Sequence, residues 1–207
     1  VYDQPCVALV DFSAVPFPDE LERKLEVLEY QPQWPADFDR IAELLRGALG
    51  PAAVRIDHVG STSVPGLPAK DCIDIQVIVP VLDEDELVAA LGTIGFRCRP
   101  ESWNRDDTYD GTPYAKLVFA PPVGGRSCNI HVRAVGTPNA RRMLLFRDFL
   151  RANETVRDAW GAFKTRLSES VPDLFGYGQI KQPATVVLFE AAELWARTTY
   201  WTPGEGI

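Results

Sequence analysis

The sequence predicts an α+β fold, a mixed sheet flanked by helices and followed by a C-terminal helical tail. Three observations predict it. Two strand-like runs, "AAVRIDHV" and "IDIQVIVPV", enclose a small-residue loop between Gly60 and Lys70. "AKLVFAP" and "SCNIHVRAV", separated by "PVGGR", have the pattern of an antiparallel hairpin. From Thr137 the apolar residues recur at helical spacing nearly to the end of the chain.

Each element follows in order. Residues 1–24 carry three prolines and read as an arm or short strand followed by a charged helical turn. "LEVLEY" (25–30) fits a strand that "QPQWP" breaks. Phe38, Ile41, Leu44, Leu45 and Leu49 then mark a helix that stops at Gly50-Pro51. After the two strands of the first motif, Asp83 caps a helix through about Leu91, ended by Gly95. "FRCRP" reads as an edge strand and residues 101–113 as a polar loop. Thr137-Pro138 opens the first tail helix, with threonine at the N-cap and proline at the first helical position. Val156, Trp160, Phe163 and Leu167 are the stripe of a second, and a third runs from about Gln179 to Arg197 with Pro183 in its early turns. The implied organisation is an arm over 1–24, an α/β core over 25–136, and a helical region over 137–207 packed on that core.

With 207 residues, 46% hydrophobic and 24% charged, the composition is that of a globule with a sizeable core. A net charge of −8 argues against general nucleic-acid binding or an anionic membrane surface, while allowing a local basic pocket. No apolar run is long enough to span a bilayer. Cys6, Cys72, Cys98 and Cys128 form no C-x-x-C pair and read as reduced, core-filling thiols of a cytoplasmic protein. The chain opens at Val1 and its only methionine is Met143, so it reads either as a processed protein or as a piece of a longer one.

The chemistry concentrates in "HVGSTSVPGLPAKDCIDIQV", residues 58–77. Gly60 lets the backbone approach a ligand, and Ser61, Thr62 and Ser63 add hydroxyls to exposed amides, together an anion-binding concavity. Asp74 and Gln76 share one strand face, with Ile73, Ile75 and Val77 on the other. A carboxylate inside an apolar strand is costly unless it is paired or metal-bound, which makes Asp74 a functional candidate. A plain turn followed by an edge acid is the competing reading of the same residues.

This stretch resembles the signature of GrpB-family domains, of the nucleotidyltransferase-like superfamily. The resemblance runs over roughly 25–197 through "YQPQWPADF", "NIHV", "LLFRDFLR" and the Tyr177/Lys181 pair. It is similar above all to the version fused behind the kinase domain of actinobacterial dephospho-CoA kinases. The resemblance implies a nucleotidyltransferase-like sheet whose glycine-serine turn binds nucleotide phosphates. It also implies strand acids that hold Mg²⁺ or Mn²⁺, with Asp74 in the first position. Gln76 in the second and His131 near the third depart from that pattern, and Mg²⁺ prefers hard oxygen ligands.

The remaining candidates surround this motif. Asn129, His131 and Arg133 share one face of the "NIHVR" strand, with His131 suited to proton transfer or metal contact. His58 braces the loop. Lys70, Arg147 and Lys181 are grouped near the cleft by the resemblance, as cations for phosphate or carboxylate. Asp71 reads as a capping or turn residue, and Asp106, Asp107 and Asp110 as a solvated loop with a mobile cover as the lesser reading. Three functions compete: metal-dependent nucleotidyl transfer from a nucleoside triphosphate to a small acceptor; nucleotide or phosphate-ligand binding without chemistry; and an accessory role beside a kinase domain in cis or trans. The sequence places the first ahead. No G-x-x-x-x-G-K-[ST] loop is present, so the chain is not itself the kinase.

Overall fold

The computed structural model describes residues 24–204 together with Phe17 and Asp19. Most of the expected N-terminal arm, Cys6 and residues 205–207 lie outside the described residues. The elements run α1 (Trp34–Leu49), β1 (Arg55–Val59), β2 (Ile73–Val79), α2 (Glu84–Gly92), β3 (Arg97–Cys98), β4 (Asp106–Tyr109), β5 (Thr112–Ala120), β6 (Cys128–Ala134), α3 (Pro138–Ala152), α4 (Glu154–Ser170) and α5 (Leu174–Thr199). The fold is α+β, as its order predicts.

One mixed sheet has the strand order β1-β2-β6-β5-β3, with β4 on the first half of β5. The β2–β6 pair is parallel and every other pair is antiparallel. That lone parallel pair follows from the chain path: β2 leaves through α2 and the β3–β5 hairpins before β6 returns beside it. Alternation gives the sheet two unlike faces. Ile73, Ile75, Val77, Ile130, Val132, Leu117 and Phe119 face α1 and α2, joining Trp34, Phe38, Leu45 and Leu91 in the larger core. Asp74, Gln76, Asn129, His131 and Arg133 occupy the opposite register.

A second core lies on that opposite side. Val64 and Leu67 of the loop pack with Leu145, Phe146, Phe149 and Leu150 of α3, Trp160 of α4, and Ala192 and Ala196 of α5. The tail helices are thereby bound to the loop between β1 and β2. α4 comes closest at Gly161, where an added Cβ would sit 2.8 Å from Pro68 Cδ.

Several sequence expectations are matched in detail. Asp83 caps α2, its carboxylate accepting from the Glu86 amide at 3.0 Å. Others are corrected. The 25–30 run is no strand; a single bridge, Leu28 to Ala69, ties it to the loop between β1 and β2. Pro68, next to that bridge, has no N–H with which to extend a ladder. Residues 101–113 are not a loop: β4 and the start of β5 form a hairpin across Asp110-Gly111, both with positive φ (47° and 73°). That dipeptide is the two-residue turn favoured between twisted strands. α5 begins at Leu174, five residues before the expected start, because Asp173 caps it by accepting from the Gly176 amide at 2.8 Å. Thr137 does stand at the N-cap of α3, but its hydroxyl donates back to the Ala134 carbonyl and caps nothing. Among the described residues no helix is long and apolar enough to cross a membrane.

Gly161→Ala should destabilise the protein by about 1–3 kcal/mol, the usual cost of overpacking. Chemical denaturation measures it. An unchanged midpoint would mean that α4 is free to back away from Pro68.

Candidate functional site

The site starts where β1 meets its loop. Val59 pairs with Asp74 in the β1–β2 register, so Gly60 passes directly over the Asp74 side chain. A Cβ on Gly60 would lie 2.4 Å from Asp74 Oδ2, and its φ of +69° is strained for any other residue. Ser61–Ser63 form a single 3₁₀ turn. The Ser63 hydroxyl donates to the Gly60 carbonyl at 2.6 Å, and Thr62 Oγ1 lies 2.9 Å from His58 Nε2. Both hydroxyls are therefore spent inside the loop, and Ser61 is the one left half-exposed.

Two arginines of α3 hold this loop by its carbonyls. Arg147 donates to the His58 carbonyl at 3.1 Å, and Arg151 donates twice to that of Ser63, at 3.0 and 2.6 Å. Arg147 finds its anionic partner in its neighbour Asp148, 2.7 Å away. His58 stacks on Phe38 with ring centroids 4.8 Å apart. Burial, together with the Arg151 and Arg147 charges, lowers its pKa to about 4 against the pull of Asp74. The ring is neutral at pH 7, with its Nε2 against the Thr62 hydroxyl of the loop.

The parallel register sets the centre. Asp74 lies beside Asn129 and Gln76 beside His131. Asn129 donates to Asp74 Oδ1 at 3.0 Å and accepts from Arg99 at 3.2 Å, while His131 Nε2 lies 3.8 Å from the same Asp74 oxygen. Burial works against the Asp74 charge, but His131, Asn129 and Lys181 hold the carboxyl below the usual range. Burial also lowers the His131 pKa, helped by Arg133 and opposed by Asp74. Its Nδ1 is buried without a partner.

Gln76 and Arg133 face the interior rather than the cleft. Gln76 is fully buried; its amide donates to the Ala140 carbonyl at 3.1 Å and its oxygen accepts from Arg133 at 3.2 Å. Arg133 is itself neutralised by Asp107 through bonds of 2.9 and 2.6 Å, and Lys116 joins the same carboxylate at 2.6 Å. Asp107 is therefore half of a strut between β4 and the central strands, not part of a solvated loop. Asp71 likewise accepts from Trp34 Nε1 at 2.7 Å and pairs with Arg126.

Opposite Asp74 stands a cluster of lysines around Tyr177. The ammonium groups of Lys70 and Lys181 each lie 5.6 Å from the centre of that ring. Lys164 of α4, only 2% exposed, donates to the Pro68 carbonyl. Burial and the charges of Lys181 and Lys70 push its pKa well down, with Asp74 opposing. Lys181 is shifted down too, by burial and by Lys70. Burial pushes the Tyr177 phenol up to about 12. A cavity of about 340 Å³ adjoins the cluster, lined in part by Lys70, Cys72, Arg99, Asn129 and Leu174.

The donor set does not fit a catalytic divalent ion. Asp74 brings one carboxylate, its oxygen already bonded by Asn129, and Gln76 turns no atom toward it. No group of three histidine, cysteine or acidic side chains capable of holding a metal occurs among the described residues. Lys164 is the residue that sequence reading missed. Its signal was there: it stands between Trp160 and Leu167 on the buried stripe of α4, where a lysine has no business unless it is used.

The family model described as "GrpB protein" matches residues 24–190. The UPF0157 protein BH1888 of Halalkalibacterium halodurans is 40% identical over 148 residues, 70% of each chain. A dephospho-CoA kinase of Mycolicibacterium paratuberculosis is 36% identical over 190 residues, which are 83% of this chain and 47% of that one. The chain thus spans about half the length of the kinases it matches. A crystal structure of the conserved protein GrpB from Enterococcus faecalis superposes with a TM-score of 0.67 at 28% identity, over 86% of this chain and 100% of that one.

The buried histidine yields a pH prediction. The folded pKa of His58 lies below its unfolded value of about 6.5, so the protein keeps its full stability above that pH and loses it as pH falls toward about 4. The loss should be on the order of 3 kcal/mol. Denaturation midpoints from pH 7 to 4 measure it, and the acid limb should flatten in His58→Gln. A limb equally steep in the variant would assign the loss to other groups.

Proposed function

The chain belongs to the GrpB family, and from that premise we propose that its cleft binds the phosphate groups of a nucleotide or similar small ligand without needing a metal ion. One observation carries the reading: Lys70 and Lys181 both lie over the Tyr177 ring, and the buried Lys164 feels the charges of both, with Asp74 as the opposing charge. Like charges brought together out of water repel, and the arrangement is stabilised by an anion that enters between them. The glycine-serine turn supports the reading from the other side of Asp74, with the Ser61 hydroxyl and backbone amides facing the ligand. This reverses the order in which the sequence placed the two main functions.

Nucleotidyl transfer is the second reading, favoured by the Asp74–His131 pair at 3.8 Å. In it the pair takes up the proton that an acceptor hydroxyl releases as it attacks, and Mg²⁺ or Mn²⁺ would have to be held largely by the substrate's own phosphates. The dephospho-CoA kinase relatives add a proposal about context, a kinase domain joined in cis or met in trans in the cytoplasm.

Calorimetric titration with the four common nucleoside triphosphates, with Mg²⁺ and with chelator, separates the readings. Binding should survive chelation, and Lys70→Ala should weaken it about tenfold or more, the worth of one charge-assisted hydrogen bond. Binding that requires the divalent ion, with turnover abolished in Asp74→Asn, would overturn the proposal in favour of transfer.

A further inference from the structure

We infer that an anion entering beside Tyr177 is accompanied by a proton taken up on Lys164, which makes Lys164 the residue that selects dianionic over monoanionic groups; the inference rests on the phosphate-binding reading above. The geometry supplies the argument. Lys164 stands on α4 within electrostatic reach of Lys70 and Lys181, and it is nearly sealed from water. It donates to a neutral carbonyl, that of Pro68, and among the described residues no carboxylate pairs with it. Gly161, one turn earlier, presses α4 against the same proline, so the side chain is held in place rather than free to swing out.

Consider the charge that an incoming group meets. With Lys164 neutral, Lys70 and Lys181 against Asp74 leave one net positive charge; with Lys164 protonated they leave two. A dianion therefore gains from the proton and a monoanion gains much less. An ammonium has three N–H donors, so Lys164 can keep its bond to Pro68 and still offer a hydrogen to the ligand. Burial and the two neighbouring lysines make the free protein reluctant to hold that proton. The groups facing Lys164 are Lys181 on α5, Lys70 at the end of the loop and Asp74 on β2. The Tyr177 phenol beside them stays neutral up to about pH 12. His58 and His131 both titrate below the ordinary histidine range, so above pH 7 neither supplies the proton.

Sulfate is the probe, because it remains a dianion across the whole range and any proton taken up belongs to the protein. Perchlorate, a tetrahedral monoanion, is its control. In wild type the sulfate affinity should fall as pH rises past the lowered pKa of free Lys164, approaching about tenfold per pH unit where one proton is linked. The protein should take up as much as one proton per sulfate bound, read as a rise in the pH of an unbuffered solution, and perchlorate should elicit little uptake. Lys164→Arg, which is always charged, should bind sulfate with no uptake and a flat pH profile. Lys164→Met should lose the uptake, while Lys181→Met should retain it. Sulfate or ATP binding with a flat wild-type profile and no uptake overturns this inference and leaves phosphate binding standing. Uptake lost in Lys181→Met but kept in Lys164→Met assigns the proton elsewhere and also overturns it. Binding of neither sulfate nor ATP removes both readings together.

Discussion

The parallel pairing of β2 with β6 is the constraint on which the rest of the site depends. It sets Asp74 beside Asn129, Gln76 beside His131 and Ile78 beside Arg133, and so lays a polar band through the middle of the sheet. A slip of one residue would turn that band onto α1 and α2 and send Ile73, Ile75 and Val77 to the cleft. Hydrophobic burial on one face thus fixes the chemistry on the other. The buried members of the band, Gln76 and Arg133, must then be satisfied without water. Arg133 at 3% exposure survives because Asp107 and Gln76 take its donors, and removing either partner of such a buried ion pair costs about 3–5 kcal/mol. The β4–β5 hairpin is consequently tied to the central strands, and it is through Asp107 that the edge of the sheet is coupled to its centre.

The helical tail has a second task beyond covering the sheet. Val64 and Leu67 anchor the glycine-serine loop in the core formed by α3, α4 and α5, while Arg147, Arg151 and Lys164 hold three of its carbonyls. A loop fixed in this way loses little further entropy when it meets a ligand. The same helices deliver two of the three lysines of the cleft. In the proposed reading stability and binding draw on one helix: α4 supplies both the tight contact at Gly161 and the buried Lys164.

Much of this was legible in the residues themselves. Period-two alternation gave both faces of β2 and β6, and Asp83 and Gly60 announced a cap and a close approach. The misreadings share a cause, which is that local composition was overridden by distant partners. Residues 101–113 look solvated because nothing near them in sequence shows that Asp107 meets Arg133 and Lys116. The glycines at 176 and 178 discourage a helix that Asp173 nonetheless caps. Thr62 and Ser63 look like ligand donors until His58 and the Gly60 carbonyl are seen to occupy them. Lys164 was legible only as an anomaly, a charge at a core position, whose meaning depends on Lys70 and Lys181 arriving from elsewhere in the chain.

The departures from a metal-binding pattern and the lysine cluster are two sides of one electrostatic problem. A phosphate chain carries several negative charges, and a site that takes it out of water must offset them. Carboxylates can do so only indirectly, by holding divalent cations, and one carboxylate already bonded by an amide holds them poorly. Ammonium groups offset the charge directly, but they repel one another while the site is empty. Here that repulsion is tempered by the Tyr177 ring between Lys70 and Lys181 and by Asp74 opposite them. Asp74 need not be a metal ligand to matter: it is the acid whose charge opposes the mutual repulsion felt by Lys164 and Lys181.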